Sequence, residues 1–345
     1  MLANVVLGFL WGGITAYVLL AGADFGAGFW DLLSGSAETG KARRARIARS
    51  IGPVWEANHV WLIFALVVVW TGFPSVFAAV ASTLYIPLTA VAFGVILRGS
   101  SFAFRGAVTD LAWQRVFGAA FALSSVITPF FLGTVAGAIA SGRVPLGIAR
   151  GDVIGSWVNP TSALGGVLAV EVAAYLAAVY LTADSRRSGE HDLAEWFRAR
   201  ALLMGVVTGL TALAGIAVLR ADSPHLFAGL TSRGLPLVVA SALFGGVSLF
   251  LLFRRRYVAV RVTAALAVVA VLWGWGAGQY PDLLVGAATV TSAAAPDQVL
   301  FFLVISLSVG SLFLLPALVL LYSLSQSAPP ESQPAPPQTQ PRYEP

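Results

Sequence analysis

Long apolar stretches alternate with short polar ones along the whole chain. Nine such stretches recur, at roughly 4–30, 52–72, 75–97, 116–140, 161–182, 201–219, 236–253, 262–280 and 299–322. Each is close to the length a helix needs to cross a bilayer. Backbone groups in lipid must be satisfied within the segment, so runs of this length are helices. A transmembrane barrel would alternate apolar and polar residues with period two, and that alternation is absent from the sequence. The pattern predicts an all-α polytopic membrane protein of about nine transmembrane helices: two four-helix bundles, spans 1–4 and 5–8, plus one extra helix. No clean internal repeat is visible in the sequence to support the two bundles.

The transmembrane domain covers residues 1–322. From about Ser323 the chain is rich in Pro, Ser and Gln, which predicts a disordered, Pro-rich cytoplasmic tail over 323–345. The first apolar run lacks a basic leader and is too long for a signal-peptide core, so it reads as the first true span. Pro87, Pro129 and Pro316 lie in or near spans, where a proline kinks a helix. Gly22 and Gly26 form a small-xxx-small pair in the first span.

Composition sharpens this picture. Hydrophobic residues make up 58% of the 345 and charged residues only 11%, whereas a soluble domain carries about 25% charge. A water-soluble enzyme is excluded. With no cysteine, disulfides, thiolate metal sites and iron–sulfur clusters are excluded too. The net charge of +5 does not point to nucleic acid, because the basic residues lie in short loops. With the N-terminus outside, the cytoplasmic loops and tail take 17 of the 21 Lys and Arg residues. These include Lys41, Arg43, Arg44, Arg46 and Arg49 after span 1, and Arg98, Arg105 and Arg115 after span 3. The outer loops hold Arg143, Arg150, Arg220 and Arg233. Such a split is the positive-inside signature.

The ionisable groups within the spans are Asp24, Asp31, Glu56, His59 and Glu171. On this reading no Lys or Arg lies deep enough in a span to pair with them. An ionised group at a helix centre costs about 2.5–3.5 kcal/mol, so these residues face protein or water, or carry a proton. Asp24 and Asp31 share one face of span 1, and Glu56 and His59 share one face of span 2. Groups stepping inward from the cytoplasmic side suit a proton entry path; hydrogen-bonded helix packing is the plainer alternative, and Glu171 stands isolated in mid-span 5. Glu56-Ala57-Asn58-His59 matches the E-x-x-H of di-iron bundles, but no second copy exists on another helix. The chain has three histidines and two methionines, and His59 is the only intramembrane histidine. It does not carry several haems by itself.

Several stretches resemble subunit II of the cytochrome bd-type quinol oxidases, including the cyanide-insensitive branch. They are GADFGAGFWDLL (22–33), IGPVWEANHVWLI (51–63), GFPSVFAAVASTLYIPL (72–88), ILRGSSFAFRG (96–106), WGWGAGQYPDLL (273–284), SAAAPDQVL (292–300) and LFLLPALVLLY (312–322). The matches run in order at both ends of the chain.

The resemblance implies a subunit of an oxidoreductase, inactive alone, in the aerobic respiratory chain of a bacterial cytoplasmic membrane. It implies a heterodimer with a haem-bearing subunit I that carries haems b and d, and small single-span subunits are further candidate partners. Membrane quinol and O2 are then the substrates of the complex, and its protons come from the cytoplasm. This chain binds no haem; a structural quinone or lipid is its candidate ligand. Asp24 and Glu56 fall on acidic positions of the family, which makes Asp24, Glu56, Asp31, His59 and Glu171 the proton-path candidates. Trp55, Asn58 and Trp61 flank Glu56 as channel-shaping or interface candidates, with packing the simpler role for the tryptophans. Arg98 and Arg105 are candidates for holding haem propionates or lipid headgroups across the interface. A proton-coupled transporter and a purely structural subunit are the competing readings.

Overall fold

The computed structural model describes residues 1–36, 38–52, 55–108 and 110–327; most of the predicted Pro-rich tail, from 328 on, lies outside these. Twelve helices and a small hairpin follow one another. They are α1 (Leu2–Leu32), α2 (Lys41–Ile51), α3 (Trp55–Gly72), α4 (Pro74–Thr83), α5 (Tyr85–Ala107) and α6 (Leu111–Ala140). Next come α7 (Pro160–Arg187), α8 (His191–Asp222), α9 (Pro224–Thr231), α10 (Leu235–Phe253) and α11 (Tyr257–Gln279). The hairpin β1 (Asp282–Leu284) and β2 (Ala288–Thr289) and the last helix α12 (Asp297–Ser327) complete the chain. Among the described residues, eight helices are individually long and apolar enough to span a membrane, or nine if α2 and α3 form one broken span.

The helices group as the apolar pattern predicts. α1, α3, α5 and α6 pack into one set and α7, α8, α10 and α11 into another, with α12 lying on α1 and α3. α7 presses against both α1 and α6 and so joins the two sets. Gly26 makes this possible, since a methyl group there would overlap the Ala173 carbonyl. The Trp30 indole then donates to the Ala174 carbonyl at 2.8 Å. Gly22, its expected partner in helix packing, faces open space instead. Leu213 on α8, Phe253 on α10 and Phe313 on α12 point outward, as the lipid-facing side of such a bundle requires.

Three expectations need correction. The third apolar stretch is not one span: it breaks at Leu84, between α4 and α5. Pro87 consequently sits in the first turn of α5, where proline is tolerated, while Pro129 and Pro316 do lie inside helices. α8 begins ten residues before the apolar run, because Trp196 and Phe197 supply a buried face to a segment that reads as polar.

A structural repeat also emerges that was not visible in the apolar pattern. α3 ends at Phe73 with φ −138° and ψ 61°, and Pro74 then starts the short α4. α8 ends at Ser223 with φ −138° and ψ 65°, and Pro224 starts the short α9. The sequences at the two breaks are FPSVFAAVAS (73–82) and SPHLFAGLTS (223–232). Proline at the first helical position and serine at the end of the short helix recur in both.

Candidate functional site

The polar interior lies in the first set of helices, where α1, α3, α5 and α6 meet. Asp24 on α1 is buried, with 5% of its surface exposed. The Asn58 amide on α3 donates to Asp24 Oδ2 and also reaches the Leu20 carbonyl at 3.4 Å. From α5 comes Arg98, only 1% exposed. Its Nη2 donates to the Asp24 carbonyl at 2.6 Å, and its Nη1 donates to Ser125 Oγ on α6. The guanidinium carbon lies 5.0 Å from the Phe25 ring centroid and 4.4 Å from that of Phe121. Ser125 in turn donates to the Phe121 carbonyl at 2.6 Å. At Gly28 a side chain would collide with Ser125 and Arg98; glycine clears the space through which the guanidinium enters.

This overturns one expectation. Arg98 does not lie in a loop facing a partner, and an arginine does sit deep enough to meet an intramembrane carboxylate. α5 runs nine residues past Arg98, to Ala107. The side chain turns into the chain's own core, so it is not available to a haem propionate or a lipid headgroup. A buried arginine is strongly unfavourable unless paired and hydrogen-bonded, and Asp24 is within electrostatic reach of it.

The other candidates fall at different depths. Asp31 lies seven residues on from Asp24, about 10 Å nearer the basic end. It is 4% exposed and is met by Arg44 Nε at 3.1 Å. Glu56 does not join Asp24: two residues before Asn58, it points out of the chain, exposed at the start of α3. Val60, Ile63, Val67 and Trp70 continue the same exposed stripe. His59 is half-buried and packs against Tyr17 and Phe25, with ring centroids 6.1 and 5.6 Å away. Trp61 is buried beside Phe64 and joins the cluster of Tyr17, Ala21, Phe25 and Ala173. Glu171 is half-buried between α7 and α8 and accepts from Thr211 Oγ1 at 2.9 Å. The side chains of Trp55 and Arg105 lie outside the described residues.

Tyr17, Ser125 and Thr128 belong to this interior and were not singled out by the sequence. Tyr17 Oη, Trp61 Nε1 and Thr128 Oγ1 are buried without a partner among the described residues, and buried polar atoms of this kind ordinarily bind water. A signal for Arg98 did exist: the residues after it, SSFAF (100–104), are small or apolar and suit a continuing buried helix better than a cytoplasmic loop.

Fold and site together define a multi-pass helical membrane protein with a charge-compensated carboxylate in its interior. The family model described as cytochrome bd terminal oxidase subunit II matches residues 2–325. The chain belongs to this family.

Among curated proteins, it is 32% identical over 152 residues to cytochrome bd ubiquinol oxidase subunit 2 of Bacillus subtilis, covering 44% of each chain. It is 29% identical over 231 residues to cytochrome bd-I ubiquinol oxidase subunit 2 of Escherichia coli K12, covering 64% of this chain and 59% of that one. These alignments therefore span about half of the relatives' own length. Among solved structures, a chain from the bd oxidase of Geobacillus thermodenitrificans matches with a TM-score of 0.79 at 27% identity. That match covers 94% of this chain and 98% of the other.

Proposed function

We propose that this chain is the haem-free subunit II of a membrane quinol:O2 oxidoreductase, paired with a haem-bearing subunit I. On this reading it lies in a bacterial cytoplasmic membrane with its N-terminus outside, as the asymmetry of Lys and Arg supports. It supplies part of the route by which cytoplasmic protons reach the site where O2 becomes water. Haems b and d belong to the partner. The three histidines and the absence of cysteine in this chain support that division, as does the wedging of His59 between Tyr17 and Phe25.

One observation carries the proton reading: a carboxylate, Asp24, buried in the membrane with its own countercharge, Arg98, and a neutral donor, Asn58. Structural cohesion alone does not call for such a group, since well-packed apolar side chains would serve as well or better. The guanidinium lets the carboxylate be ionised at this depth, and Asn58 holds one oxygen in place while the proton comes and goes. Asp31 stands at the entrance, tethered by Arg44.

Glu56 serves a different station. A carboxylate exposed on the outer face of a spanning helix must meet protein or water rather than lipid. The stripe it heads on α3 is the surface offered to subunit I, and Glu56 hands protons across that joint.

The test is quinol-driven O2 uptake by the purified complex. Glu56→Gln and Asp24→Asn are each expected to lower turnover by at least about tenfold, with the haem spectrum unchanged. Unchanged turnover in an assembled complex would mean a structural subunit. A stable, haem-free preparation of this chain alone would favour the transporter reading.

A further inference from the structure

A second constellation stands apart from the buried carboxylate, where α1, α2 and α8 meet at the basic end. Trp196 on α8 is flanked by two arginines. The Arg200 guanidinium carbon lies 3.2 Å from the centre of its ring system, and that of Arg43, from α2, lies 4.6 Å away. Sharing one ring, the two guanidinium carbons lie within about 8 Å of each other, inside the distance over which like charges repel.

Nearby carboxylates are engaged elsewhere. Asp31 meets Arg44 at 3.1 Å, Glu190 meets Arg49 at 2.6 Å, and Glu195 meets Arg198 at 2.8 Å. Among the described residues neither Arg43 nor Arg200 is paired with an acid. Each spends one donor on a backbone carbonyl, Arg43 on Ser34 at 2.7 Å and Arg200 on Trp196 at 3.0 Å. Among the described residues their remaining donors make no further hydrogen bond.

Beside them opens a groove of about 330 Å³, lined by Trp30, Leu33, Ala199, Arg200 and Leu203. Its walls are apolar apart from Arg200. From Leu203 the exposed stripe Val206, Leu210 and Leu213 runs down α8 towards the membrane centre.

We infer that this is a binding site for one anionic phospholipid. The phosphate bridges Arg43 and Arg200 along the edge of the Trp196 indole that they share and relieves their repulsion through charge-assisted hydrogen bonds. The glycerol occupies the groove against Trp30 and Leu33, and an acyl chain lies along the α8 stripe. Three features select this ligand over a free anion or a bare apolar tail. The cations share one indole and, among the described residues, neither pairs with an acid; the indole holds them rigid; and the apolar track begins where the charge ends. The site does not depend on the proton path proposed above.

The test is native mass spectrometry of the purified complex, titrated with dioleoylphosphatidylglycerol or with dioleoylphosphatidylcholine. One phosphatidylglycerol should bind more tightly than the others and far more tightly than phosphatidylcholine. In the double variant Arg43→Gln, Arg200→Gln its affinity should fall about thirtyfold, the combined effect of two cations at a membrane surface. The double lysine variant should retain part of that affinity, and Arg254→Gln, a control at the same end of the bundle, should retain nearly all of it. Equal binding in the wild-type and glutamine complexes would overturn the inference, and so would an equal loss in the control. Occupation of the groove by a polypeptide or a quinone, or competition by millimolar inorganic phosphate as strong as that of the lipid, would overturn it as well.

Discussion

The two halves of this molecule share a scaffold and differ in what they bury. In each, a long helix ends at a residue with φ −138°, a proline starts a short helix, and a further spanning helix follows. In the first half the tie between α1 and α5 carries a charge: the Arg98 guanidinium donates to the Asp24 backbone carbonyl. In the second half the tie between the corresponding helices, α7 and α10, is neutral, running from Tyr175 Oη to Ser248 Oγ. Each half also has a carboxylate bonded from the second long helix, Asp24 by Asn58 and Glu171 by Thr211. Of the two, only Asp24 is fully buried with a cation nearby; Glu171 is half-buried and, among the described residues, makes no ion pair. The neutral tie shows that this architecture holds together without a buried charge. The charged one is the tie on which the proposed proton route rests.

The contrast can be broken in order of size. Removing Arg98 should hurt most. Arg98→Met leaves Asp24 without its countercharge and should lower the stability of the complex by about 3–5 kcal/mol, read from thermal unfolding or assembly yield. Adding Asp24→Asn should recover part of that loss. If it does not, the two residues are not coupled and the ionic character of the first half is incidental.

Next is the joint between the halves. Gly26→Ala drives a methyl group into the Ala173 carbonyl. Overpacking of this kind costs about 1–3 kcal/mol, and the same unfolding measurement reads it. Gly22→Ala, facing open space on the same helix, should cost nothing measurable.

Tyr175→Phe tests the neutral tie. It deletes one hydrogen bond and should cost about 1 kcal/mol without touching O2 uptake. A fall in turnover as large as that of Asp24→Asn would mean that both halves carry the function. The smallest effect is expected of Glu171→Gln, which keeps the Thr211 bond and disturbs no ion pair among the described residues. Turnover should hold and stability should change by under about 0.5 kcal/mol.

Much of the fold could be read from the chain alone, and it is the part that depends on local composition. Whether a run of about twenty residues prefers lipid is a sum over those residues, so eight of the nine apolar stretches became single helices. The exception, at 75–97, failed because its break at Leu84 is announced only by Ser82 and Thr83, too short a polar gap to interrupt an apolar run. The motifs around Asp24 and Glu56 were likewise local, and they led to the family. That an intramembrane carboxylate needed a partner was also legible, from the energy of burying charge. What the partner was depended on tertiary structure. Arg98 is 74 residues from Asp24 in sequence, and only the packing of α5 against α1 and α6 brings it there. The same packing turns Asn58 inward and leaves Glu56, two positions away, on the outside. A helix presents all its faces in sequence; which face is buried is chosen by its neighbours, because the free energy of a polar group depends on what surrounds it rather than on where it stands in the chain.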